Sequence, residues 1–137
     1  MGVGVGGRES QLERSMSVNS YRDLEVWQKG MDLVVACYEA AKNFPSDERF
    51  GLTSQLQRAA VSVPANIAEG HGRTHLKEYL NHISIAYGSL MEIETHVQIA
   101  ERLTYLSSES VGKLLSDTER LGRMLNGLKR SLESKLS

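Results

Sequence analysis

The sequence predicts an all-α fold, a left-handed antiparallel up-down-up-down four-helix bundle. Three observations predict it. Four stretches carry apolar residues at alternating spacings of three and four, which average the 3.5-residue period of helices packed at a shallow left-handed crossing. The segments between them are a few residues long, and short connections force antiparallel neighbours. No window alternates with period two for long enough to make a strand.

The first helix is expected over about residues 23–43. Its stripe is Leu24, Trp27, Met31, Val34, Tyr38 and Ala41. Ser20 or Asp23 can cap its start, since either side-chain oxygen can accept from an orphan N–H. Asn43, Phe44 and Pro45 end it, because proline disfavours helix in the residue before it. The second covers about 50–71, with Gly70 and Gly72 as its C-terminal stop. The third, about 75–103, is capped by Thr74 and buries Tyr79, Ile83, Ala86, Leu90, Ile93, Val97 and Ala100. The fourth, about 108–134, is capped by Ser107 or Ser108. Its stripe is Val111, Leu114, Thr118, Leu121, Leu125, Leu128 and Leu132. Gly88, Gly112, Gly122 and Gly127 fall inside helices, where each costs about 1 kcal/mol against alanine. Close approach of a neighbouring helix is one reason to accept that cost, and a solvent face is the other. Residues 1–19 are Gly/Ser-rich without period and are expected to be disordered; the bundle takes up residues 20–137. Met16 stands just before the folded pattern and is an alternative start.

The second helix has more faces than a lone amphipathic helix needs. At about 100° per residue, Gln55, Arg58, Ser62, Asn66, Glu69 and Arg73 form a polar seam within about 40° of one line. Leu52, Leu56, Ala59, Val63, Ile67 and Gly70 lie on one side of it, and Val61, Ala65 and Ala68 on the other. The bulky side closes the bundle. The small-residue side is left over and is the candidate subunit contact, with the seam as a polar interface lattice. Pro64 removes one backbone N–H and pushes on the carbonyl of Ala60, so a kink or a break and restart is expected near Ala60–Pro64. There Ser62 could cap a restarted helix or bond the freed carbonyl. Glu94 lies on a second, partly apolar stripe of the third helix and needs a partner; Arg58 or Arg73 could supply it.

Composition narrows the function classes. The chain has 137 residues, enough for one domain with a real core. No run of 18 apolar residues exists, so no membrane span or membrane partner is expected. The N-terminus lacks the basic and apolar regions of a secretory signal. The single cysteine, Cys37, fits a reducing, cytoplasmic compartment and reads as a buried inert thiol. Net charge is −1, without the basic excess of a free-standing nucleic-acid binder. Residues 111–137 nonetheless hold six basic and three acidic side chains, against eight and twelve over residues 21–110. That basic C-terminal face suits a helix C-terminus.

No catalytic constellation stands out. Di-iron bundles need Glu-x-x-His pairs, and the positions three before His82 and His96 are Tyr79 and Ile93. Glu92 and His96 are four apart, as are His71 and His75, and both pairs read as exposed polar side chains. GHGR at Gly70–Arg73 is too short for a phosphate loop. No cofactor, metal or catalytic residue is assigned.

Four fragments carry a resemblance: YRDLEVWQKGMDLV (Tyr21–Val34), ERFGLTSQLQRAAVSVPANIAEGHGR (Glu48–Arg73), ISIAYGSLMEIET (Ile83–Thr95) and GRMLNGLKRSL (Gly122–Leu132). Together they resemble the bacterial four-helix-bundle family of 23S ribosomal RNA intervening-sequence proteins, over nearly all of residues 21–132. The resemblance implies a left-handed up-down bundle assembled as a ring-like homopentamer. It also implies a distant kinship with the accessory variability protein of diversity-generating retroelements, which works with a reverse transcriptase and nucleic acid. The acidic balance of this chain departs from that strongly basic relative.

The leading expectation is a non-enzymatic homo-oligomeric scaffold or accessory protein. Its partners would be copies of itself and RNA, DNA or a nucleic-acid enzyme. Arg58, Arg73, Arg120, Arg123, Lys129 and Arg130 are the candidate nucleic-acid contacts. The alternatives are a small-molecule or metal-dependent activity at the seam, or a structural oligomer that binds only protein.

Overall fold

Four helices, α1 Glu25–Ala41, α2 Leu52–His71, α3 Leu76–Arg102 and α4 Ser108–Leu136, make up the computed structural model, which describes residues 20–136. Two 3-10 turns, Tyr21–Asp23 and Ser46–Glu48, precede α1 and α2. Among the described residues there is no strand. Each helix packs on its chain neighbours, and α1 closes the bundle against α4. The expected disorder of residues 1–19 and the start at Met16 lie outside the described residues.

The stripes expected of α2, α3 and α4 are buried throughout, with Ala60, Pro64, Ser89 and Gly122 added to them. In α1 the expectation needs correcting. Its core face is Val26, Gly30, Leu33, Cys37 and Ala41, whereas Met31 and Tyr38 are exposed and Trp27 and Val34 half-buried. The cause is Gly30. A Cβ built there would lie 3.4 Å from the Cβ of Pro64, so α1 presents its smallest residue where α2 comes nearest.

Of the two outcomes expected at Pro64, the break and restart does not occur: helix α2 continues through it from Leu52 to His71. The ring is buried against Gly30, so apolar burial offsets the lost hydrogen bond. Ser62 caps nothing; its hydroxyl is used between helices.

The helix ends differ from expectation in three places. Ser20 caps the 3-10 turn, accepting from the Arg22 N–H, and α1 starts after Leu24 with no side-chain cap. The N-cap of α3 is His75, again without a side-chain bond, in place of the expected Thr74. Gly70 is an inner helical residue and not part of the stop, which falls at Gly72. A Cβ on Gly70 would sit 2.8 Å from the Cβ of His82 and 3.1 Å from the Tyr79 ring. As expected, Ser107 serves α4: its Oγ accepts from the Ser110 N–H at 3.1 Å.

At the far end Glu48 ties two connections together. Its Oε1 accepts from the Leu52 N–H at 3.0 Å and its Oε2 from the Tyr105 hydroxyl at 2.9 Å. Those bonds hold its carboxyl below the usual range. The α3–α4 connection turns through Thr104, whose φ of 62° is left-handed. The Tyr105 N–H bonds the Ala100 carbonyl and the Thr104 N–H that of Glu101, the Schellman pattern usually built on glycine.

Glycines at two positions of this bundle should respond oppositely to alanine. Gly70→Ala should destabilise by about 1–3 kcal/mol, since the methyl has no room against α3. Gly88 has nothing within 4 Å, so Gly88→Ala should stabilise by about 0.5–1 kcal/mol. Urea denaturation of the two variants measures both; a neutral Gly70→Ala would mean that the α2–α3 approach relaxes freely.

Candidate functional site

The polar seam of α2 meets α3 in a continuous chain of hydrogen bonds. Asn66 donates from Nδ2 to the Ser62 carbonyl at 2.9 Å and to Ser62 Oγ at 3.0 Å. Ser89 on α3 donates to Ser62 Oγ at 2.8 Å. Asn66 Oδ1 lies 2.9 Å from His82 Nδ1. Because the Asn66 nitrogen faces Ser62, its oxygen faces His82. An amide oxygen only accepts, so His82 Nδ1 carries the hydrogen of the neutral ring and Nε2 carries none. Glu69 Oε2 stands 3.8 Å from Nε2 and is bonded to Arg73 Nη2 at 2.6 Å.

Thus the structure brings Ser62, Asn66, Glu69 and Arg73 together and leaves Gln55 and Arg58 outside the network. Glu94 does not join it, and neither Arg58 nor Arg73 is its partner: it turns the other way, and its Oε2 accepts from Thr118 Oγ1 on α4 at 2.8 Å. Thr118 is fully buried, and its one hydroxyl hydrogen is shared between Glu94 and the Leu115 carbonyl 3.0 Å away.

Sequence reasoning misses His82 and Ser89 as members of the seam. The signal that could have found them is spacing: His82, Ser89 and His96 recur every seven residues on α3, one flank of a helix packed at a shallow angle. His96 corrects the reading of the Glu92–His96 pair as exposed side chains. It is half-buried, and its Nδ1 is buried with no hydrogen-bond partner among the described residues. Burial lowers its pKa, while Glu92 pulls it up. His71, also expected exposed, is half-buried with its ring edge-on to Tyr79 at 6.0 Å.

Cys37 is fully buried, and burial, aided by Asp117, pushes its thiol up to about 12. It is inert toward the thiolate chemistry that reactive cysteines perform. Among the described residues no three His, Cys, Asp or Glu side chains are grouped to hold a metal, and no helix is long and apolar enough to cross a membrane.

The outer surface divides sharply. Large exposed apolar residues on the helices are Met31, Val35 and Tyr38 of α1, Val61 of α2, and Ile85, Met91 and Ile99 of α3, followed by its cap Leu103. Helix α4 has none before its last residue, Leu136. Lys29 and Asp32 line a cleft with α4 residues Asp117 and Arg120, so by helical rotation Met31, Val35 and Tyr38 lie on the α2 flank of α1. His82 and Ser89 mark the α2 flank of α3, and Ile85, Ile99 and Leu103 continue around from it. The apolar surface is therefore centred on Val61, Ala65 and Ala68, of which Val61 is 45% exposed, Ala65 exposed and Ala68 half-buried. Arg120, Arg123 and Arg130 are exposed on α4, with no ion pair among the described residues; Lys129 is half-buried.

The architecture is that of a small all-α four-helix bundle whose polar seam is satisfied from within. The chain belongs to the 23S rRNA-intervening sequence protein family, whose model matches residues 22–127. A solved structure with the same fold is a protein of unknown function from the S23 ribosomal protein family of Bacteroides thetaiotaomicron. It is 21% identical, with a TM-score of 0.71, over 76% of this chain and 97% of that one. No curated protein matches the chain.

The half-buried ring of His96 should make stability fall in mild acid. Its folded pKa is depressed below the ordinary 6.5, so the unfolded chain binds the proton more readily. The ring's contribution is complete above about pH 6.5 and is lost as pH falls below it. Between about pH 7.5 and about pH 5.5, wild type should lose stability relative to His96→Leu in parallel urea titrations. Identical pH dependence of the two proteins would show that the ring protonates freely in the fold.

Proposed function

We propose that this chain is a non-enzymatic, cofactor-free scaffold of the cytoplasm that works as a homo-oligomer. By family resemblance the oligomer is a pentamer. It engages nucleic acid, or an enzyme that acts on nucleic acid, through the outward face of α4. The observation that carries the reading is the division of the outer surface. An apolar surface of that extent, centred on α2, is what a subunit contact requires and what a lone soluble helix bundle avoids. The subunit contact is Val61, Ala65 and Ala68, flanked by the exposed stripes of α1 and α3.

The charged face of α4 then stays outside the assembly. Arg120, Arg123 and Arg130 can meet phosphates without first breaking an ion pair, and Lys129 adds a partly covered cation. Arg58, on the α2–α3 side, would serve as a secondary contact, whereas Arg73 already serves Glu69. Repetition of a modest basic face around a ring supplies by multivalency what a net charge of −1 per chain does not.

Light scattering on purified protein at micromolar concentration tests the assembly. A stable oligomer is expected for wild type and a folded monomer for the Val61→Glu, Ala65→Glu double variant; a monomeric wild type would overturn the reading. Mobility shifts with structured RNAs and DNAs test the partner. Binding should weaken steeply with salt. Arg120→Gln with Arg123→Gln should lower the salt slope by about one for each phosphate that a replaced arginine neutralises in wild type. Absence of any shift at low salt refutes nucleic-acid binding.

A further inference from the structure

The GHGR segment and the residues after it form an unusual corner. Three of the chain's four histidines, His71, His75 and His82, fall within it, interspersed with Arg73 and Lys77. Where α2 gives way to α3, Arg73, Lys77, Glu78, Asn81 and His82 line an open cleft of about 340 Å³.

His82 is the residue that gives this cleft a defined chemistry. Its side chain is only 14% exposed, and its ring is held by the bond from Nδ1 to Asn66. That bond persists in both protonation states, because Nδ1 is the donor in each. Nε2 has no hydrogen bond among the described residues: Glu69 Oε2, 3.8 Å away, is within ion-pairing distance but beyond hydrogen-bonding range, and it is bonded to Arg73. A fixed imidazole whose Nε2 is not hydrogen-bonded is a donor there only when protonated, and its orientation is set by Asn66.

Charge sets the ligand. With His82 neutral, Arg73 and Lys77 are balanced by Glu69 beside the cleft and Glu78 within it. A proton on His82 tips the balance positive. Arg73 has further N–H groups beyond the one spent on Glu69, Lys77 brings a mobile ammonium, and Asn81 brings an amide. Several donor side chains lining one open cleft suit a tetrahedral oxyanion, whose oxygens accept from several directions.

We propose that the cleft at the α2–α3 corner binds a phosphate group when His82 is protonated. The source is either free phosphate or the backbone of a nucleic acid, and the inference rests on the proposed function only for the second source.

Isothermal titration of the full chain with inorganic phosphate, and separately with a short oligouridylate, tests this at about pH 5.5 and about pH 7.5 at one ionic strength. Phosphate itself passes from monoanion to dianion over this range, so the comparison is with His82→Gln. On going to the lower pH, wild type should gain about tenfold in affinity relative to that variant, the value of one charge-assisted hydrogen bond. His82→Gln should keep only the trend that the ionisation of phosphate imposes. Lys77→Gln, an exposed change remote from the Asn66–Ser62 bonds, should weaken binding at both without altering the melting temperature. No phosphate binding by wild type at the lower pH, or an unchanged pH dependence in His82→Gln, overturns the proposal. If phosphate follows this pattern and oligouridylate does not bind, the site stands with free phosphate as its ligand and the nucleic-acid reading fails. If oligouridylate binding is abolished by Arg120→Gln with Arg123→Gln but ignores Lys77→Gln and His82→Gln, and phosphate does not bind, the site fails and the nucleic-acid reading stands.

Discussion

At Gly70 the backbone of α2 comes so close to α3 that a single methyl group would meet the Cβ of His82 at 2.8 Å. The bundle depends on that approach. Serine and asparagine side chains are short, and they can bond across a helix pair only if the axes are near. Ser89 reaches Ser62, and Asn66 reaches His82, because Gly70 removes the side chain that would hold the helices apart. The chain of bonds then fixes register as well as distance. Sliding α3 by a turn would leave several half-buried donors and acceptors without partners, each costing about 1–3 kcal/mol. Leucine stripes alone tolerate such slips more readily, since they are repetitive and non-directional.

A second close approach, at Gly30 and Pro64, orders α1 on the other side of the same helix. The two approaches sit on different faces of α2, so that helix is gripped by both neighbours along its C-terminal half. Its proline is compatible with this because the ring itself forms part of the packing. The Ala60 carbonyl loses the donor that residue 64 would supply, and burial of the proline against Gly30 offsets that loss.

What the sequence reveals and what it conceals follow from these approaches. The stripes of α2, α3 and α4 are legible residue by residue, because Leu, Ile and Val at spacings of three and four mark a buried face without ambiguity. That of α1 is not. Its core residues Gly30 and Cys37 contribute little to an apolar pattern, while Met31 and Tyr38 on the adjacent line contribute much. Gly70 reads as a stop because a glycine near a helix end usually is one; the close approach of a second helix leaves no trace in the local sequence. The seam is half legible. The spacing of Ser62, Asn66 and Glu69 places them on one line, but their partners His82 and Ser89 lie on another helix. Glu94 is recognisable as a carboxylate in need of a partner, yet that partner is Thr118, which periodicity assigns to the core stripe of α4. Pairings between helices are set by rotation about two axes at once, which periodicity within one helix does not specify.

The position of polarity in this fold separates two roles that the sequence superimposes on α2. The seam is satisfied between α2 and α3, so most of its bonding capacity is spent within the chain, and it specifies the pair. What remains unspent lies at its edges. Nε2 of His82 is left over at the corner because Glu69 is drawn to Arg73, and Nδ1 of His96 has no hydrogen-bond partner among the described residues. On the outer side of α2 the reverse holds: Val61, Ala65 and Ala68 have no polar requirement and no cover. Small side chains there leave a shallow surface between the larger residues of α1 and α3, a shape that admits another helix closely. One helix therefore carries a completed internal contact, an uncovered external one, and a corner where Arg73 and Glu69 meet the edge of His82.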